Sequence, residues 1–256
     1  MRTTRHSHAS RPHQIWLANS RQYLVATVTP WLPDHLQYLV DALVKLHGPV
    51  LRNPLPLGNK PDPLDELVYI LLTLMTRFQP RIDRAYEELH ALGEGTWTRL
   101  LDVPVDEIRE VLRPLGFMER RTAQLLGLLE VVEQEYGGDL SNLQAMPDKD
   151  AIAALTALPG VGTKTAKCVL MYSLGRSVLP VDVHVARVAA RLGMLPAGTS
   201  VDEADELLEP MVPPELRFDV HVQFVRHGRT VCKQPTPDCE ACPLATSCPS
   251  ALSATR

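Results

Sequence analysis

Several things are missing from this 256-residue chain, and each absence narrows what it can be. No apolar run approaches the length needed to span a bilayer. No alternating Val/Ile/Thr run of useful length occurs, which argues against an extensive sheet. There is no internal repeat and no low-complexity segment. Net positive charge is absent too. The formal charge is −4 and the pI about 6.1, so a nucleic-acid binder would need a local basic surface rather than a basic whole. Acids are missing from the first thirty-three residues, which carry Arg2, Arg5, Arg11, Arg21, His6, His8 and His13. A basic, disordered extension (1–33) is the expectation, with a DNA-touching arm or an organelle transit peptide as sharper readings. No apolar secretory region follows. Cysteine is almost missing before residue 232, where only Cys168 occurs.

What is present is ordinary for a globular protein, with 45% hydrophobic and 22% charged residues on a chain long enough for one large or two small domains. Apolar spacing predicts helices over 35–46, 64–75, 81–92, 106–115, 119–136, 151–158, 163–174, 183–192 and 201–208. Gly93, Gly116, Gly137, Gly138, Gly175 and Gly193 stand where those helices should end. The stretch PLPLGNKPDP (54–63) reads as a connector between two groups of helices.

Residues 158–166, LPGVGTKTA, could present backbone N–H groups to a phosphate. A nucleotide P-loop fits poorly, because Thr163 rather than Gly precedes Lys164 and the lead-in AIAALTAL has a helical pattern. Helix, tight hairpin, helix remains. Gly160 and Gly162 can take backbone angles closed to other residues. The amides of Gly160, Val161, Gly162, Thr163 and Thr165 can then cradle one phosphate at a helix N-terminus, a contact suited to sequence-independent DNA binding. A plain helical corner uses the same glycines.

The end of the chain reads CKQPTPDCEACPLATSC. Cys232, Cys239, Cys242 and Cys248 fall within seventeen positions, which is a metal-site pattern rather than a disulfide framework. Zinc favours two matched Cys-x-x-Cys pairs, and one is present. Gaps of six, two and five residues suit a loop around a larger object such as an iron–sulfur cube. Zinc stays the alternative. Cys168, inside a helical pattern, reads as a core residue.

Together LPGVGTKTA, VDVH, RHGRTVC and the Cys-x6-Cys-x2-Cys-x5-Cys ending resemble the endonuclease III family of DNA glycosylases, over roughly residues 60–249. The resemblance implies an all-α fold of two lobes. One is a six-helix barrel with a helix-hairpin-helix (57–176); the other, built from 34–56 plus 177–250, carries a [4Fe-4S] cluster on the four cysteines. It implies that Lys164 attacks the sugar C1′ of a damaged nucleotide, forms a Schiff base and cuts by β-elimination, a role that asks for a partly neutral amine. Asp182 is the implied partner, steadying charge on the sugar or handling the lysine proton. By its position Asp182 also reads as a helix N-cap, and His184 as a solvated or capping side chain.

Two departures stand out. The family usually carries a polar wedge such as Ser-Gln-Gln/Ala/Asn-Thr after the first barrel helix. This chain has LLTLMTRFQP (71–80), where Thr73 and Thr76 keep hydroxyls but Leu74 and Met75 hold the glutamine register. Met75 is the candidate gap-filling contact to DNA, with Gln79 or Arg77 as other groups that could reach the gap. The KQPTPD loop offers only Lys233 to a phosphate. The expected activity is that of a bifunctional glycosylase and AP lyase on damaged, oxidised pyrimidines in double-stranded DNA or on abasic sites. The expected protein is a monomer away from membranes, in the cytoplasm or nucleoid if bacterial, or the nucleus or mitochondrion if eukaryotic. A mismatch-specific uracil/thymine or adenine glycosylase, and a non-catalytic helix-hairpin-helix DNA-binding protein, are the alternatives.

Overall fold

A computed structural model describes residues 33–254 apart from 75 and 77. The extension 1–32, Met75 and Arg77 lie outside the described residues. Among those described, every regular element is a helix. The chain divides into two compact units, Leu51–Pro180 and a second made of residues up to Val50 together with Val181 onward.

The Leu51–Pro180 unit holds six α-helices: α2 (Pro63–Thr73), α3 (Gln79–Leu92), α4 (Val105–Leu112), α5 (Met118–Tyr136), α6 (Asp148–Thr156) and α7 (Thr163–Tyr172). The other unit holds α1 (Pro33–His47), α8 (Val183–Arg191), α9 (Val201–Met211), α10 (Arg217–Thr230) and α11 (Pro249–Ala254). The connector sequence 54–63 is irregular, with one 3-10 turn at Pro56–Gly58.

In the first unit α2 is the most buried element. Asp62 caps it, accepting from Leu64 N at 2.9 Å and Asp65 N at 3.0 Å, and Pro63 supplies a pre-set first position. Leu67, Val68, Leu71 and Leu72 are fully or nearly fully buried, and α2 packs against α3, α5 and α7. It stops at Thr73, two residues before the apolar pattern does. The Arg121 guanidinium, from α5, takes the carbonyls of Leu71 (2.8 Å) and Leu72 (3.3 Å) that would otherwise be orphaned at the helix end.

In the second unit α10 plays the central part, against α1 and α8. Periodicity does not announce it. Phe218, Val220, His221, Val222, Gln223, Phe224, Val225 and His227 are all buried, so no polar stripe is left to mark one face. Its Gly228 permits a close approach: a Cβ there would stand 2.9 Å from the Cβ of His184 on α8.

Candidate active site

The hairpin between α6 and α7 forms as a tight turn. Gly160 sits at φ 78°, a conformation that a side chain would strain, and Val161 N–H donates to Leu158 O at 3.2 Å. Val161 buries its side chain and anchors the turn, so only its backbone faces a ligand. Gly162 corrects the expectation. Its φ is −96°, open to any residue, and an added Cβ would meet nothing within 4 Å. What glycine gives at 162 is bare space over the start of α7, together with the lack of any capping side chain. The first N–H groups of a helix have no intrahelical acceptor, so a phosphate oxygen is their natural partner. Thr163 and Lys164 are the first two residues of α7, with Thr165 next. Beyond them Ala166–Tyr172 is wholly buried against α6 and α2. Lys164 is half-buried at the mouth of that packing, and Cys168 is a core residue as expected.

Behind Lys164 lies a carboxylate that sequence reading does not single out. Glu66, on α2, is 0% exposed. Its Oε2 accepts from Lys60 N at 2.6 Å, and its Oε1 has no hydrogen-bond partner among the described residues. Burial pushes its pKa up to about 8, against the opposing pull of the Lys60 N–H and of the Lys164 and Lys60 charges. The Lys60 ammonium lies over the rings of Tyr69 (4.6 Å) and Tyr86 (4.4 Å).

The wedge segment is built from hydrogen bonds. Arg121, 6% exposed, donates to Leu74 O, to Thr76 Oγ1 at 2.8 Å and to Gly116 O at 2.9 Å, besides the two α2 carbonyls. Thr76 Oγ1 in turn donates to Leu115 O at 3.1 Å, and Thr73 Oγ1 to Ile70 O at 2.7 Å. Both hydroxyls therefore serve the framework rather than a polar wedge. Gln79 is likewise committed: its Nε2 donates to Asp83 Oδ1 at 2.8 Å and to Tyr69 Oη. Arg121 thus ties Leu74 and Thr76 to Gly116, and exposed apolar side chains stand on both sides of that tie. Leu74 is 41% exposed and Phe117 is 62% exposed. Phe117 holds a left-handed backbone (φ 51°), unfavourable for a bulky residue, with its carbonyl tied by Arg121 N at 2.9 Å. Phe117 is a functional candidate that the sequence did not yield. The available signal is a large apolar residue directly after a glycine and before a helix.

In the other unit Asp182 caps α8, accepting from His184 N at 2.8 Å and Val185 N at 2.9 Å through one oxygen, Oδ1. His184 is half-buried with Nδ1 3.0 Å from Arg187 Nη2, and burial lowers its pKa. It is not freely solvated, and it also hydrogen-bonds the backbone of Gly228 near the end of α10.

Cys232, Cys239, Cys242 and Cys248 are unpaired as disulfides and line one cavity of about 60 Å³, shared with Val188, Leu192 and Leu244. Burial pushes the Cys242 thiol up to about 11, and the three other sulfurs add to the shift. Arg191 Nη1 reaches Cys232 Sγ at 3.2 Å and the carbonyls of Cys232 (3.1 Å) and Lys233 (2.8 Å). Among the described residues no group of three or more His, Cys, Asp or Glu is placed to hold one metal ion. Lys233 is exposed on the loop between the first two cysteines. No helix among the described residues is long and apolar enough to cross a membrane.

Residues 73–214 match the model of the HhH-GPD superfamily base excision DNA repair protein. Endonuclease III of Escherichia coli (strain K12) is 27% identical over 199 residues, covering 77% of this chain and 89% of that one. Endonuclease III of Rickettsia conorii is 29% identical over 198 residues, covering 74% and 90%. A solved structure of a trapped endonuclease III–DNA covalent intermediate, an estranged-adenine complex, superposes with a TM-score of 0.74 at 25% identity. It covers 88% of this chain and 100% of that chain.

Proposed function

Because the chain belongs to the HhH-GPD superfamily of base excision DNA repair proteins, and within it to the endonuclease III family, we propose that Lys164 is the nucleophile of a DNA glycosylase and AP lyase acting on damaged pyrimidines. The observation that carries this reading is the placement of Lys164. It stands at the second position of α7, directly after the Gly160–Gly162 hairpin, in a family whose DNA complexes include a trapped covalent one.

Each residue then has a task. The uncapped start of α7 and the open space over Gly162 hold a phosphate of the damaged strand, without reading bases. Lys164 attacks C1′ with its electron pair as the C1′–base bond breaks and the base leaves with that bonding pair. The nitrogen then loses one of its two protons, and its electron pair forms the C1′=N bond as the C1′–O4′ bond breaks and O4′ takes a proton, which opens the sugar to an iminium. Removal of a C2′ proton then expels the 3′ phosphate. Asp182, matched to the family's aspartate, has the task of steadying the positive charge that develops on the sugar, and its Oδ1 carries the two capping bonds of α8. Extruding the nucleotide leaves a hole, and Leu74 and Phe117 fill it by apolar contact.

The four cysteines line one cavity, and their gaps of six, two and five residues fit a [4Fe-4S] cluster better than zinc, which favours two matched Cys-x-x-Cys pairs. Cys232, Cys239, Cys242 and Cys248 would hold such a cluster, which would close the loop that carries Lys233. Arg191, donating to the Cys232 sulfur, stabilises thiolate charge there.

The test is borohydride trapping on abasic-site duplex DNA. The wild-type protein gives a covalent adduct, and Lys164→Gln gives none while binding the duplex nearly as well. An adduct of equal yield from Lys164→Gln would move the nucleophile elsewhere. A panel of single-lesion duplexes separates oxidised pyrimidines from mismatched uracil, thymine or adenine.

A further inference from the structure

We propose that Glu66 is a positioning residue for Lys164: its unpartnered Oε1 takes the proton that must leave the lysine before the amine can attack. The inference rests on Lys164 being the Schiff-base nucleophile. Four observations carry it. Glu66 is sealed from solvent, yet only one of its oxygens is satisfied. A buried acceptor left without a donor is costly and uncommon, and calls for a reason. Its helix α2 packs against α7, which carries Lys164 at its second position. The Lys164 charge acts on the Glu66 carboxyl.

Four titratable groups act on Glu66: Lys60 from the preceding loop, Tyr69 on the same helix, Tyr86 on α3 and Lys164 on α7. Burial pushes Tyr69 up to about 12 and Tyr86 higher still, so both phenols stay neutral through the physiological range. The Lys60 ammonium is engaged by the two tyrosine faces. Lys164 is the cation left to exchange a proton with Oε1. In the transfer one N–H bond of the ammonium breaks and an O–H bond forms on Glu66. The electron pair stays on Nζ, and a charged pair becomes a neutral one. An ordinary carboxylate would return the proton at once. One raised to about 8 holds it near working pH, where a base is most useful.

The readout is the rate of borohydride trapping on an abasic-site duplex between pH 6 and 10. For wild type the rate rises with pH and levels near 8, as the pair loses its shared proton. Glu66→Gln keeps an oxygen for the Lys60 N–H but cannot take a proton. Its rising limb moves toward the lysine range near ~10.4. Trapping at pH 7 is then at least about tenfold slower, converging on wild type above pH 10. Superimposed profiles, or a slowing equal at every pH, would overturn the proposal. A second arm covers a variant that does not fold and a protein that does not trap. In ¹³C-glutamate-labelled wild type the Glu66 carboxyl titrates near pH 8, and in Lys164→Gln its midpoint rises. An unmoved midpoint also overturns it. A wild type that forms no adduct, with a midpoint that does move, overturns the Schiff-base reading and leaves the pairing standing.

Discussion

The buried Glu66 carboxyl should set the alkaline limit of this protein's stability. Its folded pKa is about 8, against an ordinary 4.5 when the chain unfolds and water reaches it. Between those values the folded state holds a proton that the unfolded state releases, so stability falls as pH rises through the window and the loss is complete above about 8. Each unit of difference is worth about 1.36 kcal/mol, which gives roughly 3–5 kcal/mol between pH 4.5 and 8.5. That is a large share of a typical total of about 5–15 kcal/mol. Glu66→Gln removes the titration and keeps the shape. Urea unfolding of both proteins at matched pH values isolates the effect, because the other titrating groups largely cancel in the difference. The stability of Glu66→Gln relative to wild type should climb steadily with pH, whatever its value at pH 4.5. Two curves that stay parallel from pH 4.5 to 8.5 would show that Glu66 ionises normally, and the argument from its burial would fail.

Three further outcomes are expected. Arg121→Ala strands the carbonyls of Leu71, Leu72, Leu74 and Gly116 and should cost roughly 3–5 kcal/mol in thermal or urea unfolding, with faster hydrogen exchange over 71–76. Asp182→Asn keeps an oxygen to cap α8, so stability should change by less than about 0.5 kcal/mol while base release slows by roughly 10²-fold or more in single-turnover assays. Cys239→Ala or Cys242→Ala should abolish the brown colour and broad visible absorption expected of an anaerobically purified protein and lower its unfolding temperature; colourless wild type carrying stoichiometric zinc would contradict the cluster.

The sequence by itself determined the all-helical fold, most helix positions and the chemistry-bearing residues. Apolar spacing found α1 to α9 to within a few residues, most of them by a polar side and α2 and α7 by their unbroken apolar runs. The hairpin and the four cysteines were legible because their demands are local: a left-handed glycine at 160, and thiols close enough in sequence to ring one cavity. Tertiary structure alone decided the rest. Helix α10 buries the polar His221, Gln223 and His227 among its apolar residues, so its sequence shows no periodic contrast. The end of α2 is set by Arg121, forty-eight positions beyond Thr73, whose guanidinium satisfies carbonyls that local pattern would have carried on as helix. That same residue turns Thr73 and Thr76 into framework and leaves Leu74 and Phe117 as the exposed groups. Glu66 looks in sequence like one more helical glutamate. Its role follows from the packing of α2 against α7, which takes away its water and gives it Lys164, almost a hundred residues later, in exchange. Solvation and long-range pairing are properties of the packed chain, and no local pattern encodes them.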